Sequence, residues 1–314
     1  MPAQRRISEA IERLQYVPPA RKAAVKKNTE IALVVPSSSA EGGKLALDET
    51  FVHLLRGVGE TLMPTAYKLT LIWQSEFKHV IKYFAADTPI GGVIYPSPQK
   101  DDPLPGWLRD RGIPNVILGE LSNMSQYHSV DLDNIAGAKH VTQHLIELGH
   151  RDIAFIAPYS LEYMFSLYRL TGYQMALTMN RIPLREEYVR IGDSKAGTGY
   201  RIAKELLALP NPPTAIVAGR DMLALGALYA ANENGILQPG RFAVTGFDNT
   251  AIAEQHNITS VQAPLYDVGI EAVRLMLDIV EGRIGAPKKI AIPAVPVIRH
   301  SSDPNVPLHS YKPF

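Results

Sequence analysis

The stretch SVDLDNIAGAKHVTQHLIELGHRDIAFIA, residues 129–157, carries a helix that runs into a buried strand. Its apolar side chains between residues 136 and 146 approximate helical spacing. Gly149 is suited to end that helix as a C-cap. The apolar run IAFIA at 153–157 then reads as a strand covered on both faces. The stretch therefore predicts one helix-to-strand unit of an α/β fold.

The same alternation of strands and helices continues along the chain from residue 30 onward. The strand-like runs cover residues 31–35, 69–73, 91–95, 115–118, 153–157, 214–218 and 242–247. Helical patterns separate them, and the one that follows Phe51 places Leu54, Val58 and Leu62 on one face. Continuous apolar strands between amphipathic helices indicate parallel sheets with both faces covered. Two such sheets in tandem predict an α/β protein with two doubly wound parallel-sheet lobes.

Bulk composition bounds the class of protein. With 314 residues, of which 46% are hydrophobic, the chain can bury a large core and is long enough for two domains. No run approaches the ~18 uncharged apolar residues of a membrane span, and the N-terminus MPAQRRISEAIERLQY lacks the apolar core of a secretory signal. The absence of cysteine excludes disulfides, thiolate nucleophiles and cysteine-bound metals, and it fits a reducing compartment. We therefore expect a cytoplasmic protein without a membrane segment.

The net charge of +1 hides an asymmetry between the start of the chain and the remainder. Residues 1–28 contain seven Lys or Arg and two Glu, so this arm carries +5 and the rest of the chain −4. Basic arms often bind nucleic acid by displacing phosphate counterions, but many are only solvated ends. Charge alone leaves both interpretations open.

Four further motifs follow the opening stretch in order. They are RLTGY at 169–173, PTAIVA at 213–218 followed by DMLALG at 221–226, VTGFDN at 244–249 and VIRHSS at 297–302. Five ordered motifs over about 170 residues make coincidence a poor explanation. Together they resemble the LacI/GalR family of bacterial transcription regulators. The resemblance implies a periplasmic-binding-protein-like fold, in which three crossovers join two lobes.

The resemblance also implies a domain organisation, with crossovers near Asp131, Ser260 and Pro293. We expect the remnant of a DNA-binding headpiece and hinge at 1–28, an effector-binding core at 29–302 and a mobile tail at 303–314. Within the core, the expected N-lobe is 29–131 plus 262–292, and the expected C-lobe is 132–261 plus 293–302.

The segment SEAIERLQYVP, residues 8–18, resembles the last helix of the family's DNA-binding headpiece. In the family a helix-turn-helix precedes it and enters the major groove, and this sequence does not contain that element. We therefore expect the chain by itself not to bind specific DNA, with operator DNA bound through a full-length headpiece. A hinge Leu kinks DNA from the minor groove in the family, but PPARKAAVKKN at 18–28 has no Leu. The candidates left for hinge contact with DNA are Arg21, Lys22, Ala23 and Val25.

Two residues are the first candidates for an effector site. Asp248 follows an apolar strand and Gly246, which places its carboxylate at a strand's carboxyl end, where doubly wound sheets bind ligands. Its alternative role is to cap the next helix or turn. Arg169 is expected at the start of a helix, where the helix dipole disfavours a cation unless an anion or polar ligand is near; its alternative is a surface salt bridge. The resemblance implies that both residues contact the effector.

Arg220 stands where many members of the family have Asn. With Arg169 it would offer two guanidinium groups to one ligand, which suits a carboxylate or phosphate and suggests an acidic sugar derivative. The alternative is that Arg220 points to solvent. Its neighbour Asp221 opens an apolar helical pattern and is expected to be the N-cap of that helix.

Three more candidates rest on residue type and position. Trp73 ends the second strand and Phe165 lies four residues before Arg169. Aromatic rings facing a cleft stack on sugar faces, although core packing explains both positions equally well. Glu120 closes the strand-like run NVILGE and is a further polar candidate.

A long loop at 37–50 adds two weaker candidates to the effector site. It contains Ser38 and is followed by Phe51, the one aromatic residue kept from a pair typical of the family. The loop is interpreted either as a lid or effector-specific loop, or as a harmless insertion.

The leading hypothesis is a ligand-responsive repressor, a homodimer whose core binds a small polar metabolite, a sugar or sugar derivative, in the inter-lobe cleft. Lobe closure would alter the spacing of two headpieces and change operator affinity through differential binding to two states. An extracytoplasmic solute-binding protein for sugar uptake shares the fold and is the alternative. Against it stand the absent signal peptide and the headpiece-like helix. The sequence contains no HExxH, GxSxG or GxxxxGK[ST], so we expect no enzymatic activity, cofactor or metal site.

Overall fold

The computed structural model describes residues 29–35, 48–73, 77–84, 88–236 and 241–308. The expected headpiece remnant and hinge, with Arg21, Lys22, Ala23 and Val25, lie outside the described residues. So do Ser38 and the end of the expected tail beyond residue 308.

A six-stranded sheet forms the centre of the N-lobe. Its strands are β1 Glu30–Val35, β2 Lys68–Trp73, β3 Ile90–Pro96, β4 Asn115–Leu118, β5 His128–Leu132 and β11 Lys289–Ile292. They are arranged in the order β11-β5-β4-β3-β1-β2, and every neighbouring pair is parallel. This lobe is doubly wound, as the alternating pattern of the sequence predicts.

A second six-stranded sheet forms the centre of the C-lobe. Its strands are β6 Ile153–Ala157, β7 Val189–Ile191, β8 Ala215–Ala218, β9 Ala243–Asp248, β10 Thr259–Gln262 and β12 Val295–Val297. Their order is β12-β10-β9-β8-β6-β7, and only the pair of β12 with β10 is antiparallel. The prediction of two doubly wound parallel-sheet lobes is confirmed, with one antiparallel edge strand that the sequence pattern does not predict.

Helices cover both faces of each sheet. Those described are α1 Glu49–Leu62, α2 Phe77–Val80, α3 Pro103–Arg109, α4 Asn134–Glu147, α5 Met164–Met179, α6 Ala196–Leu207, α7 Asp221–Glu233, α8 Ala251–Gln255 and α9 Leu265–Val280. Each sheet is flanked by two clusters of buried apolar side chains, one on either face. Among the described helices, none has the length and apolar character needed to span a membrane.

Helix α4 shows how the local sequence produces the fold. The carboxylate of Asp133 accepts a hydrogen bond from the backbone N–H of Ala136 at 2.8 Å and caps the first turn. Gly149, just past the last turn, has φ of 99°, a conformation that glycine adopts without a steric penalty. The strand IAFIA that follows is buried throughout.

The chain passes between the lobes three times. It leaves the N-lobe after Leu132, returns after Gln262, and leaves again after Ile292 to form β12 in the C-lobe sheet. Residues that follow the carboxyl ends of C-lobe strands contact the N-lobe, as Arg220 contacts Asp48. The carboxyl ends of the C-lobe strands therefore face the N-lobe across a cleft, the place where doubly wound folds bind ligands.

Candidate ligand-binding cleft

Three charged residues meet at the carboxyl ends of the C-lobe strands. Asp248 is the last residue of β9, Arg220 follows β8, and Arg169 comes from α5. The Asp248 Oδ2 atom accepts a hydrogen bond from Arg220 Nε at 2.7 Å, and its Oδ1 atom lies 3.5 Å from Arg169 Nη2. The fold thus brings together three residues from separate motifs, which lie up to 79 positions apart in the chain.

Arg169 is buried and held by the protein on three sides. Its Nε donates to Asn134 Oδ1 at 2.9 Å and its Nη1 to the carbonyl oxygen of Gly219 at 2.6 Å. The guanidinium carbon lies 3.6 Å from the ring centroid of Phe247. Burial lowers the pKa of Arg169 to about 10, although the negative charge of Asp248 acts to raise it. Its Nη2 group is aimed at Asp248.

The expected position of Arg169 in its helix is corrected by the structure. Helix α5 begins at Met164, so Arg169 lies in the second turn and not at the helix start. The dipole of the helix end therefore does not explain this cation. Its carboxylate, amide and carbonyl partners do, and a surface salt bridge is excluded because the residue is 5% exposed.

Arg220 does not point to solvent, because its side chain lies across the cleft. Its Nη2 atom donates to Asp48 Oδ2 at 2.8 Å and to Thr50 Oγ1 at 3.1 Å, both at the start of α1 in the N-lobe. Burial alone would lower the pKa of Arg220, but the charges of Asp248 and Asp48 raise it above its ordinary value. Arg220 is therefore a permanent cation enclosed by two carboxylates.

Asp248 and Asn249 form an unusual turn after β9, with φ angles of 103° and 55°. Residues other than glycine rarely adopt these values, so neighbouring groups must hold the backbone in place. The N–H of Asn249 donates to Ser260 Oγ at 3.0 Å, and its side-chain Oδ1 accepts from Arg299 Nη2 at 2.7 Å. The cap of the following helix, α8, is Thr250, so the interpretation of Asp248 as a helix cap is wrong.

Asp221 belongs to the same polar network and is not the N-cap of α7. The cap position is occupied by Arg220, and the Asp221 carboxylate turns towards β10 and the turn after β9. It accepts hydrogen bonds from Ser260 Oγ at 2.5 Å and from the backbone N–H of Thr250 at 2.7 Å. Burial, together with the nearby charge of Asp248, raises the pKa of Asp221.

Gly246 in the VTGFDN motif is required by this network. A Cβ atom at Gly246 would lie 2.2 Å from Asp221 Oδ1. Only glycine lets the Asp221 carboxylate approach the strand closely enough to hold the turn that presents Asp248. The two motifs that contain Gly246 and Asp221 are therefore parts of one structural unit.

Two acidic residues lie on the N-lobe side of the cleft. Glu120 follows β4 and accepts a hydrogen bond from the hydroxyl of Tyr168 on α5, so it joins the two lobes. Asp131, in β5, is enclosed by protein, and burial raises its pKa to about 7, with the charge of Glu120 acting in the same direction. Glu120 thus lies at the cleft as a polar group, where the sequence placed it, with Tyr168 as a partner that the sequence did not indicate.

The aromatic candidates take different positions. Phe165 belongs to a group with Tyr159 and Tyr163, whose ring centroids lie 6.0 and 5.6 Å from its own. The Arg169 guanidinium lies 5.4 Å from the Phe165 ring, which places this group beside the charged cluster. Trp73 is 54% exposed at the end of the edge strand β2.

Phe51 has a different role from the one expected. It is 7% exposed and packs in the N-lobe core with Leu54 and Val58 of the same helix. The apolar spacing of α1 explains this position, so the hypothesis that Phe51 lines the effector site is replaced by core packing.

Sequence reasoning missed Asp48, Thr50, Tyr159 and Tyr163. Asp48 carries a local signal, since an Asp before an apolar helix predicts an N-cap, and its carboxylate does accept from the N–H of Phe51 at 3.0 Å. Nothing in its neighbourhood indicates a partner 172 residues away.

The arrangement is suited to binding a polyhydroxyl ligand. Carboxylate oxygens keep acceptor capacity beyond one bond each, and guanidinium nitrogens keep donors, so both can pair with neighbouring hydroxyl groups. The described residues include no group of three or more His, Cys, Asp or Glu placed to hold a metal ion.

Comparisons with known proteins point in one direction. The periplasmic binding protein-like domain model matches residues 142–302. The chain is 32% identical to the HTH-type transcriptional regulator CelR of Thermobifida fusca over 303 residues, which cover 94% of this chain and 88% of that protein. It is 30% identical to catabolite control protein A of Priestia megaterium over 282 residues, 87% of this chain and 82% of that protein.

The same relationship is found among solved structures. The transcriptional regulator CelR–cellobiose complex superposes with a TM-score of 0.80 at 31% identity, covering 96% of this chain and 91% of that one. A transcriptional regulator LacI from Bacillus cereus superposes with a TM-score of 0.80 at 28% identity, covering 87% and 98%.

Proposed function

Since this chain belongs to the LacI/GalR family of bacterial transcription regulators, we propose that its two lobes close on a sugar-like effector held by Asp248 and Arg169. Like its relatives, it is a ligand-responsive transcription regulator and not an enzyme. A repressor function through differential binding of the effector to two lobe arrangements is the mechanism we assign to it. The relatives are regulators, which favours this function over sugar uptake by a solute-binding protein.

The observation that carries the effector proposal is the pairing of Asp248 with two guanidinium groups in the cleft. Asp248 would accept hydrogen bonds from sugar hydroxyls, and the Nη2 group of Arg169 would donate to them. Phe165, with its neighbours Tyr159 and Tyr163, would offer an apolar ring face to the sugar. Glu120 and Trp73 remain candidates on the N-lobe side.

The charge balance favours a neutral effector over an acidic one. The two guanidinium groups are opposed by the carboxylates of Asp248 and Asp48. A ligand carboxylate would have to displace Asp48 from Arg220, or approach Asp248 against its charge. A neutral sugar meets no such penalty, and the complex of the relative CelR with cellobiose is in keeping with it. An acidic sugar derivative is the alternative that the test below distinguishes.

The strand ends support a division of the core close to the expected one. We propose an N-lobe of residues 29–132 plus 263–292 and a C-lobe of 133–262 plus 293–302, because β5 ends at Leu132 and β10 at Gln262. We also propose that the protein acts as a homodimer. We propose further that it binds operator DNA through a headpiece of the helix-turn-helix type, since two relatives are HTH-type transcription regulators.

A thermal-shift screen tests the effector proposal, because a ligand bound only by the folded state raises the melting temperature. The probes are cellobiose and glucose, glucuronate, glucose 6-phosphate and adenine. A rise with a neutral sugar that is lost in Asp248→Asn supports the proposal. A rise with glucuronate or glucose 6-phosphate alone would transfer the assignment to acidic sugars, and a rise with adenine alone would contradict the sugar assignment.

A further inference from the structure

Arg220 connects the two lobes through side chains of the protein itself. On one side its Nε donates to Asp248 of the C-lobe at 2.7 Å. On the other its Nη2 donates to Asp48 at 2.8 Å and to Thr50 at 3.1 Å, both in the N-lobe. One guanidinium therefore satisfies a carboxylate on each wall of the cleft.

Both ends of this connection are fixed in place. Asp48 cannot swing away freely, because its carboxylate also caps α1 by accepting from the N–H of Phe51. Arg220 occupies the N-cap position of α7, and its carbonyl oxygen accepts from the N–H of Ala224 at 3.1 Å. The side chain of Arg220 is only 15% exposed. Fixed partners and low exposure make an ion pair stronger than the average surface pair.

A second contact between the lobes lies directly beside the first. Both carboxylate oxygens of Glu49 accept from the backbone N–H of Ala251, each at 3.1 Å. Glu49 follows Asp48 in the N-lobe, and Ala251 begins α8 of the C-lobe. The start of α1 is thus attached to the C-lobe at two consecutive residues.

We propose that Arg220 is a positioning residue that ties the lobes in the arrangement of this structure, here called closed, so that this arrangement does not depend on the effector alone. The inference rests on the proposed function only for the identity of the cleft as the effector site. In this scheme the effector binds to a protein in which the closed arrangement already predominates. An Asn at this position would be too short to reach both carboxylates.

The tie has a chemical consequence for the regulator. Because it is an ion pair that remains partly exposed, with Asp48 36% exposed, added salt weakens it. The proportion of closed protein should then fall as ionic strength rises, in the absence of any sugar. Hydroxyl contacts of a neutral effector would not show this dependence.

The test measures the distance between the lobes without effector. The chain contains no cysteine, so Ser122→Cys in the N-lobe and Ala208→Cys in the C-lobe, both exposed, introduce two spin labels at defined positions. Double electron–electron resonance on labelled protein diluted with unlabelled protein reports distances within one chain. We expect a main closed distance for the parent and a longer second distance in Arg220→Asn, with the closed-to-open ratio reduced about fivefold.

Two further variants separate the tie from a folding defect. Asp48→Asn, at a less buried position, should produce the same second distance. Combining it with Arg220→Asn should add little, because each substitution already removes the ion pair of Arg220 with Asp48. Arg201→Gln, which breaks an exposed pair within α6, should leave the distances unchanged. Circular dichroism establishes that each variant is folded.

Identical distance distributions for the parent, Arg220→Asn and Asp48→Asn would overturn the proposal. Because no sugar is present, this outcome is independent of the thermal-shift screen. If no probe raises the melting temperature but the two variants show the second distance, the effector proposal fails and the proposed tie stands. If a neutral sugar raises the melting temperature but the variants keep the parent's distances, the effector proposal stands and the tie fails.

Discussion

The carboxylate of Asp221 lies 2.7 Å from the backbone nitrogen of Thr250, so a residue at the start of one helix holds the beginning of the next. Through this bond and the one to Ser260, Asp221 fixes the turn in which Asp248 has a φ of 103°. The position of the proposed effector anchor therefore depends on a residue that is not expected to touch the effector.

Replacing Asp221 by Asn should weaken both the fold and effector binding. The amide presents a donor where the native oxygens accept from Ser260 and Thr250, so one buried donor is left without an acceptor. We expect a loss of about 1–3 kcal/mol in the free energy of unfolding, measured by urea denaturation. Asp267→Asn, an exposed first-turn residue of α9, is the matched control and should change stability by less than about 0.5 kcal/mol. Equal stability of the two variants would contradict the role of Asp221.

Asp248→Asn and Arg169→Gln should reduce affinity for the sugar identified by the screen by at least about tenfold each. Hydrogen bonds to charged groups contribute about 1.5–3 kcal/mol, which corresponds to a tenfold change or more. Isothermal titration calorimetry measures the affinity, and Glu205→Gln on the surface of α6 serves as a charge-matched control. A variant that binds as tightly as the parent would be removed from the site.

Asp131→Asn should change how stability depends on pH. The folded-state pKa of this carboxyl is raised from 3.8 to about 7 by burial. Its ionisation therefore costs folding free energy, so stability present below pH 3.8 is lost progressively as the pH rises towards about 7. The Asn variant cannot ionise and should gain stability relative to the parent as pH rises over this interval. Thermal unfolding at several pH values measures the difference, and a constant difference would contradict the prediction.

Gly172→Ala should destabilise the C-lobe through the contact of α5 with α4. An added Cβ would lie 2.2 Å from the carbonyl oxygen of Ile135, so the helices would have to separate. Overpacking of this kind costs about 1–3 kcal/mol. Gly59→Ala, in α1, is the control because its Cβ would meet nothing within 4 Å. There the higher helix propensity of Ala should stabilise by about 0.5–1 kcal/mol, and a loss of stability at Gly59 equal to that at Gly172 would refute the packing argument.

The sequence identifies those parts of the fold that local pattern determines. IAFIA and the other continuous apolar runs predict strands because they are buried on both faces. The predicted runs do not include strands β5, β7, β10, β11 and β12. The three-residue strands β7 and β12 are too short to show a period, and β12 is defined by its antiparallel partner β10.

The candidate site follows the same division. Asp248 could be placed from its strand and motif, since both are local. An Asp at a helix start usually caps the helix, and the sequence therefore predicts this role for Asp221. In the structure its carboxylate instead accepts hydrogen bonds from Thr250 and Ser260, which the tertiary fold brings near. The bond from Arg220 to Asp48 joins residues 172 positions apart, and no local propensity encodes such a pair.

The three passages of the chain between the lobes have a consequence for evolution by recombination. Each lobe is assembled from separate stretches of the gene, since the C-lobe sheet takes β6 to β10 from one stretch and β12 from another. A single genetic exchange therefore cannot transfer one complete lobe from a relative. New effector specificities should arise more readily by substitutions at the cleft, at positions such as 220, than by shuffling of whole lobes.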